Sequence, residues 1–298
     1  MNITVIGEAN IDIAVTQQTS VNPSGCVPGK ISFHHGGVAR NIAHNLYLLG
    51  HEVRLMTVFG DDDFAERLMT DCNQIGIDLS LSTQFKNAKS PIFLSFNDKE
   101  GNMQSAVSDI MLNNNMDLNW LKSQMDAISC SDIVVADTLL SIEALTYLIG
   151  HCEVPLYLDT VSPGKAVRLS KAMEKSERPY VFAIKCNHAE AKTITGETDA
   201  IVASKILNAK GINHVYLTTG ANGVIHCSNS KASSFSALST EIVNVTGSGD
   251  AFFAGIIHAN AIGIFGEKAI PFGLKAARHN IESEALVNPA LRPSIFND

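Results

Sequence analysis

The chain is short of positive charge: 22 Lys and Arg stand against 30 Asp and Glu, a net charge of −8. That balance repels phosphate backbones and anionic lipid, so neither nucleic acid nor a membrane surface is an expected partner. No run of about 18 apolar residues occurs, so no segment is fit to span a bilayer as a helix. The opening residues, 1–8, hold neither a basic leader nor a cleavable apolar run, and a cytoplasmic protein is expected. The six cysteines form no CxxC pair, which argues against a zinc knuckle or a disulfide framework and for buried reduced thiols. No GxxxxGK[ST] string occurs, so any phosphate site is not a P-loop. Fixed-period repeats and low-complexity tails are also missing.

What is there suits one large core with a small appendage: 298 residues, 45% of them apolar. Residues 3–6 are a β-rich run ending at Gly7, which reads as a buried opening strand. Val38, Ile42, Leu46 and Leu49 recur at helical spacing ahead of Gly50, predicting a helix over 36–50 and a strand over 53–59. Strands are expected at 133–136, 156–158, 180–184 and 215–218, separated by helices near 141–149, 164–173, 189–195 and 200–210. That alternation predicts an α/β fold, a doubly wound and mainly parallel sheet flanked by helices, with residues 1–298 as one domain. Residues 13–33 are irregular, and 90–96 and 103–107 flank a turn-rich connection. These pieces predict a small β lid formed by about 13–34 and 88–110, and an exposed lid edge invites pairing with a second copy.

The densest signal is Gly247-Ser248-Gly249-Asp250, flexible glycines leading into an apolar helix that begins near Asp250. A helix start offers unpaired N–H groups and a positive dipole end, so Gly247, Ser248 and Gly249 suit an anion hole. A carboxylate at that point suits a general base in phosphoryl transfer, and equally suits a helix dipole. In His35-Gly36-Gly37-Val38-Ala39-Arg40-Asn41, the glycines permit close backbone approach and Asn41 both donates to and accepts from a diol; an ordinary helix-capping turn reads the same way. Asn187 and Glu190 have the spacing of a capping box, and Glu190 also offers a hard oxygen to Mg²⁺. Thr218, Gly220 and Gly223 follow a strand in a TxGxxG string that also describes a plain hairpin turn.

Taken in order, these strings resemble the ribokinase-like (PfkB) carbohydrate kinases across essentially the whole chain. The resemblance implies a ribokinase-like fold and ATP-dependent phosphorylation of a hydroxyl, with Asp250 as base and Gly247, Ser248 and Gly249 as anion hole. It implies acceptor contacts from Asn10, Asp12, Gly36, Gly37 and Asn41. It implies nucleotide contacts from Lys185, Asn187, Thr218, Gly220, Gly223 and Asn280, with Mg²⁺ placed by Glu190. Asn244 stands where many relatives carry an aspartate that helps bind a monovalent cation, which leaves potassium activation open. Residues 7–12, 38–41, 106–110 and 158–165 resemble the pseudouridine-kinase branch, so pseudouridine is the implied small-molecule acceptor, with Ser108 and Asp109 toward its base. Lys165 reads either as a phosphate neighbour or as a charge in a helix's first turn. A kinase of another sugar or nucleoside is the alternative, and a silent nucleoside-sensing protein is a further one, which retention of Asp250 and the glycine loop argues against.

Overall fold

Ile3, Val5 and Ile6 are fully buried, and the computed structural model places their strand, Asn2–Ile6, inside an eight-stranded sheet. Residues 1–18, 26–100 and 102–297 are described; residues 19–25 of the expected lid and Gly101 of the expected turn lie outside them. Asn2–Ile6 is flanked by Glu52–Met56 at the sheet edge and by Ile133–Asp137 on its other side. Leu156–Asp159, Val181–Asn187 and Ile212–Thr218 follow in parallel, and Val224–Ser228 and Lys231–Phe235 close the far edge antiparallel. Helices Ile142–His151, Pro163–Lys175, His188–Thr195 and Ala200–Ala209 connect the parallel strands, so the doubly wound α/β expectation holds. The chain leaves Asn2–Ile6 toward one edge and later returns on its other side. A crevice therefore opens beyond the carboxyl ends of these strands, where open α/β sheets hold ligands.

Each sheet face has its own core. Helices Val38–Leu48, Ser248–Ala261 and Ile270–Ile281 cover one, through Ile42, Leu46, Phe253 and Ile257; Leu145, Leu148 and Leu169 cover the other. Helix Ser248–Ala261 is buried from Asp250 to Asn260, as a helix apolar on all sides must be.

A second sheet of four strands runs in the order Gly29–Gly36, Asn10–Gln17, Ile92–Asn97, Met103–Asp109. Its register sets His34, Asp12, Phe93 and Ser108 in one row, and Phe33, Ile13, Leu94 and Val107 in the next. Paired residues share a face and neighbouring rows oppose, so Ser108 lies on the same side as Asp12 and the apolar row on the other.

Several elements differ from expectation. Residues 13–33 read as irregular, yet Asn10–Gln17 and Gly29–Gly36 are eight-residue strands; Asn10–Gln17 is part-buried from Asp12 to Gln17, and in Gly29–Gly36 it is the apolar Ile31 and Phe33 that are exposed, so neither shows an apolar-in, polar-out alternation. The strand expected over 53–59 breaks at Thr57: Glu52–Met56 joins the large sheet, while Val58–Phe59 pairs with Thr83–Gln84. Helix Asp63–Ile75 went unforeseen, although Asp62 caps it through Ala65 N–H and Gly76 ends it in the left-handed conformation.

Candidate active site

Gly247 makes the start of helix Ser248–Ala261 possible. Its φ is 79°, and a Cβ there would lie 2.1 Å from the Leu286 carbonyl oxygen, so no other residue fits. The helix's first N–H groups have no intrahelical partner; that of Ser248 donates to the Val245 carbonyl at 3.3 Å, and Ser248 and Gly249 border an adjoining groove. Asp250 sits in this first turn, 7% exposed, and accepts a hydrogen bond from Asn41 Nδ2 at 2.9 Å.

Lys185, at the carboxyl end of Val181–Asn187, reaches the same point from the sheet. Its Nζ donates to Asp159 Oδ2 at 2.9 Å, and a Cβ on Gly249 would lie 3.2 Å from that Nζ. Burial pushes the Lys185 ammonium down, but Asp159, Asp250 and Glu190 outweigh it and hold the group firmly charged. Burial pushes the Asp250 carboxyl well above the ordinary range; Lys185 opposes the shift and Asp159 adds to it. A carboxylate raised in this way is a stronger proton acceptor than one in water.

Asp12 lies on the opposite wall. Asn10 Nδ2 donates to its Oδ1 at 2.6 Å, and burial, partly offset by that bond, pushes the carboxyl up to about 6. Gly36 packs against this carboxylate, and Gly37, at φ 96°, leaves 2.3 Å between a would-be Cβ and the Glu8 carbonyl oxygen. Gly37 thereby sets the start of Val38–Leu48 and delivers Asn41 to Asp250. Arg40 anchors the helix through an ion pair with Asp71, which His35 Nδ1 also meets at 3.0 Å. Asn10, Asp12, Gly36, Gly37, Asn41 and Asp250 are thus gathered around one space. Ser108 and Asp109 are exposed on the outer strand and touch none of these; Ser108 shares the face of Asp12.

On the far side of Gly249 lies a cavity of about 560 Å³ lined by Thr218, Gly220, Gly223, Ser248, Gly249 and Phe252, among others. A neighbouring opening of about 670 Å³ shares Thr218, Gly220 and Val224 and extends to Asn187 and His188. Gly223 is required there: at φ 98°, a Cβ would meet the Phe235 carbonyl oxygen at 2.0 Å. The groove suits a nucleotide whose phosphates point at the glycine turn.

Asn280 does not line this groove. It is 1% exposed, its Nδ2 donates to the Thr246 carbonyl and its Oδ1 accepts from Asn288 N–H, so it braces the loop instead of facing a base. Glu190 is equally committed: Asn187 N–H, Asn187 Nδ2 and Thr160 Oγ1 all donate to its carboxylate in a complete capping box. Direct metal ligation would break those bonds, and no group of three His, Cys, Asp or Glu side chains among the described residues is arranged for a metal. The site fits a divalent ion carried by phosphate oxygens and water, the usual manner for Mg²⁺, with the buried charge of Glu190 behind it. Asn244 is occupied as well, donating from Nδ2 to the Glu284 carbonyl and accepting from Thr246 N–H. Burial and the neighbouring Arg168 charge push the Lys165 ammonium down, and the charges of Glu8 and Asp137 partly offset them.

Residues 1–292 match the model of the pfkB family carbohydrate kinases. The chain belongs to that family. It is 32% identical to the pseudouridine kinase of Escherichia coli over 97% of this chain and 93% of the relative. It is 26% identical to the guanosine-inosine kinase of Exiguobacterium acetylicum over 94% of each. A solved carbohydrate kinase from Agrobacterium tumefaciens superposes with a TM-score of 0.83 at 29% identity, covering 99% of this chain and 95% of that one. The fold is ribokinase-like, and the protein is an ATP-dependent sugar or nucleoside kinase that works with a divalent metal. Among the described residues no helix is long and apolar enough to cross a membrane.

Sequence reasoning missed Asp159, Asp137, Glu8 and Asn113. Asp159 and Asp137 end neighbouring parallel strands and are paired in register, a position facing the crevice. An acidic residue closing an otherwise apolar strand was the signal that would have found both.

Proposed function

We propose that this kinase phosphorylates the 5′-hydroxyl of pseudouridine, giving pseudouridine 5′-phosphate and ADP, with Mg²⁺ as the metal. The observation behind the chemistry is the meeting of Asn41, Asp250 and Lys185 at the start of a buried helix. The acceptor rests on the full-length similarity to the Escherichia coli pseudouridine kinase.

In this reading Asp12, Asn10 and the Gly36–Gly37 backbone hold the ribose hydroxyls, and Asn41 sets the reacting end against Asp250. Asp250 takes the proton of the 5′-hydroxyl as its oxygen bonds to the γ-phosphorus. The bond from that phosphorus to the β,γ-bridging oxygen breaks, and ADP leaves with the electron pair. Backbone N–H groups of Gly247, Ser248 and Gly249 receive the charge that develops on the γ-oxygens, and Lys185 adds a fixed positive charge. Thr218, Gly220 and Gly223 hold the nucleotide, and Asn187 lines its phosphate end. Magnesium, when bound, neutralises phosphate charge. The small sheet acts as a lid that keeps water from the γ-phosphate, with Ser108 and Asp109 moving toward the base on closure. Its apolar face, where Ile31, Phe33 and Val107 are each more than half exposed, is covered in this reading by a second copy, which sedimentation tests.

ATP consumption with pseudouridine, uridine, adenosine, guanosine, ribose and fructose as separate acceptors tests the proposal. Selective turnover of pseudouridine supports it. Preference for a purine nucleoside, as the name of the Exiguobacterium relative would suggest, or for a sugar keeps the chemistry and overturns the acceptor.

A further inference from the structure

Glu8 lies just past the carboxyl end of central strand Asn2–Ile6, two residues before Asn10, and is 9% exposed. Its backbone is pinned on both sides. The N–H donates to Asp137 Oδ2 at 2.8 Å, and the C=O accepts from Arg40 N–H at 3.2 Å while Gly37 packs against it. The side chain is held at one oxygen, where Asn113 Nδ2 donates to Oε1 at 2.7 Å. Oε2 has no hydrogen-bond partner among the described residues, and neither has Oδ1 of Asn113, itself 4% exposed.

Unlike Asn113 Oδ1, Glu8 Oε2 is not sealed inside the fold, so it is open to a ligand or to water. Burial first, then Asp137, pushes Glu8 up to about 7, and Lys165 is the positive charge that offsets this. An apolar side chain here would leave Asn113 Nδ2 unpaired, so Oε1 has a structural partner and Oε2 is the oxygen left for a ligand.

Its surroundings point to a ligand. Asn113 belongs to the short 3-10 turn Met111–Asn115, which directly follows the outer strand of the small sheet, and Ser108 on that strand shares the face of Asp12. The Glu8–Asn113 bond therefore borders the acceptor space at the end of the wall that carries Asn10 and Asp12, opposite Asp250. A nucleoside whose 5′-hydroxyl meets Asp250 directs its base to that end.

We propose that Glu8, oriented by Asn113, is a specificity-determining residue that accepts a hydrogen bond from a ring N–H of the acceptor's base. This rests on the reading of the chain as a nucleoside kinase. A pyrimidine joined to ribose through C5 keeps its N1–H, one ring atom removed from the glycosidic carbon, whereas the nitrogen-linked isomer spends that nitrogen on the glycosidic bond. Glu8 Oε2 favours the former, since a site built to bond an N–H rejects the analogue lacking it.

The test compares wild type with Glu8→Gln and Glu8→Ala by kcat/KM for pseudouridine, uridine and ribose, with ATP affinity measured by calorimetry as the check on folding. The ratio of pseudouridine to ribose kcat/KM falls roughly ten- to a hundredfold in both variants, and discrimination against uridine collapses. A ratio unchanged in both variants overturns the assignment, as does an equal loss for all three acceptors. If the wild type prefers another nucleoside, the acceptor reading fails alone, and the same ratio for that nucleoside against ribose decides the role of Glu8. A wild type that phosphorylates sugars but no nucleoside overturns both.

Discussion

Asn41 donates a hydrogen bond to Asp250 at 2.9 Å across 209 positions of sequence, joining the N-terminal glycine motif to the C-terminal one. The bond holds the carboxylate in one orientation and uses one oxygen, leaving the other for a hydroxyl. Asn41→Ala frees Asp250 to rotate and removes an acceptor contact. A loss of roughly ten- to a hundredfold in kcat/KM for the acceptor is expected, with ATP affinity retained. Steady-state kinetics with each substrate varied in turn checks this.

The acid side of the pH profile follows from burial. Asp250 works only as the carboxylate, and its carboxyl is raised above the ordinary range, so activity falls as pH drops through that raised value. The acidic limb of kcat/KM is expected above about pH 5.5, where an exposed carboxyl near 4 would not place it. A profile flat down to pH 4.5 would show that no raised carboxyl governs the step.

The same shift has a stability consequence of definite sign. A carboxyl whose folded value exceeds its unfolded one binds protons more tightly when folded, so it loses stability as pH rises through that window. Asp250→Asn removes that cost above the window and leaves Lys185 paired with Asp159. Calorimetry at pH 8 should find Tm raised by about 1–4 °C, with a smaller gain at pH 5.

Two glycines separate folding from binding. Gly37→Ala forces a Cβ against the Glu8 backbone at a left-handed φ and should cost about 2 kcal/mol or more of stability. Gly249→Ala meets only the end of the Lys185 side chain, at 3.2 Å and not the backbone, so the fold is kept while the phosphate turn is crowded; KM for ATP should rise about tenfold or more with little change in Tm. Denaturation curves and nucleotide titrations of the two variants distinguish these outcomes.

The fold was legible because the buried parallel strands are continuous apolar runs with helices between them, and that signal needs no tertiary information. The small sheet was harder to read, since Asn10–Gln17 is part-buried along most of its length while Gly29–Gly36 exposes the apolar Ile31 and Phe33, so neither strand alternates in the usual way. In the site, local motifs marked the glycine turns and Asp250, whose conformational needs are written in short strings. Glu8, Asn113, Asp137 and Asp159 come from four separate segments, and only the sheet register brings them to one crevice. Asn280 shows the opposite failing: its place in a helix near the nucleotide groove suggested a contact, while its amide is turned inward to hold the Thr246 loop.

The role of Asp250 as the base is tested most directly by kcat of Asp250→Asn with saturating acceptor and MgATP, beside calorimetric ATP affinity of the same variant. The amide keeps the shape and the bond to Asn41 but cannot take the proton. A fall in kcat of about three orders of magnitude or more, with ATP affinity within about threefold of wild type, is expected. Turnover near the wild-type rate would contradict the account.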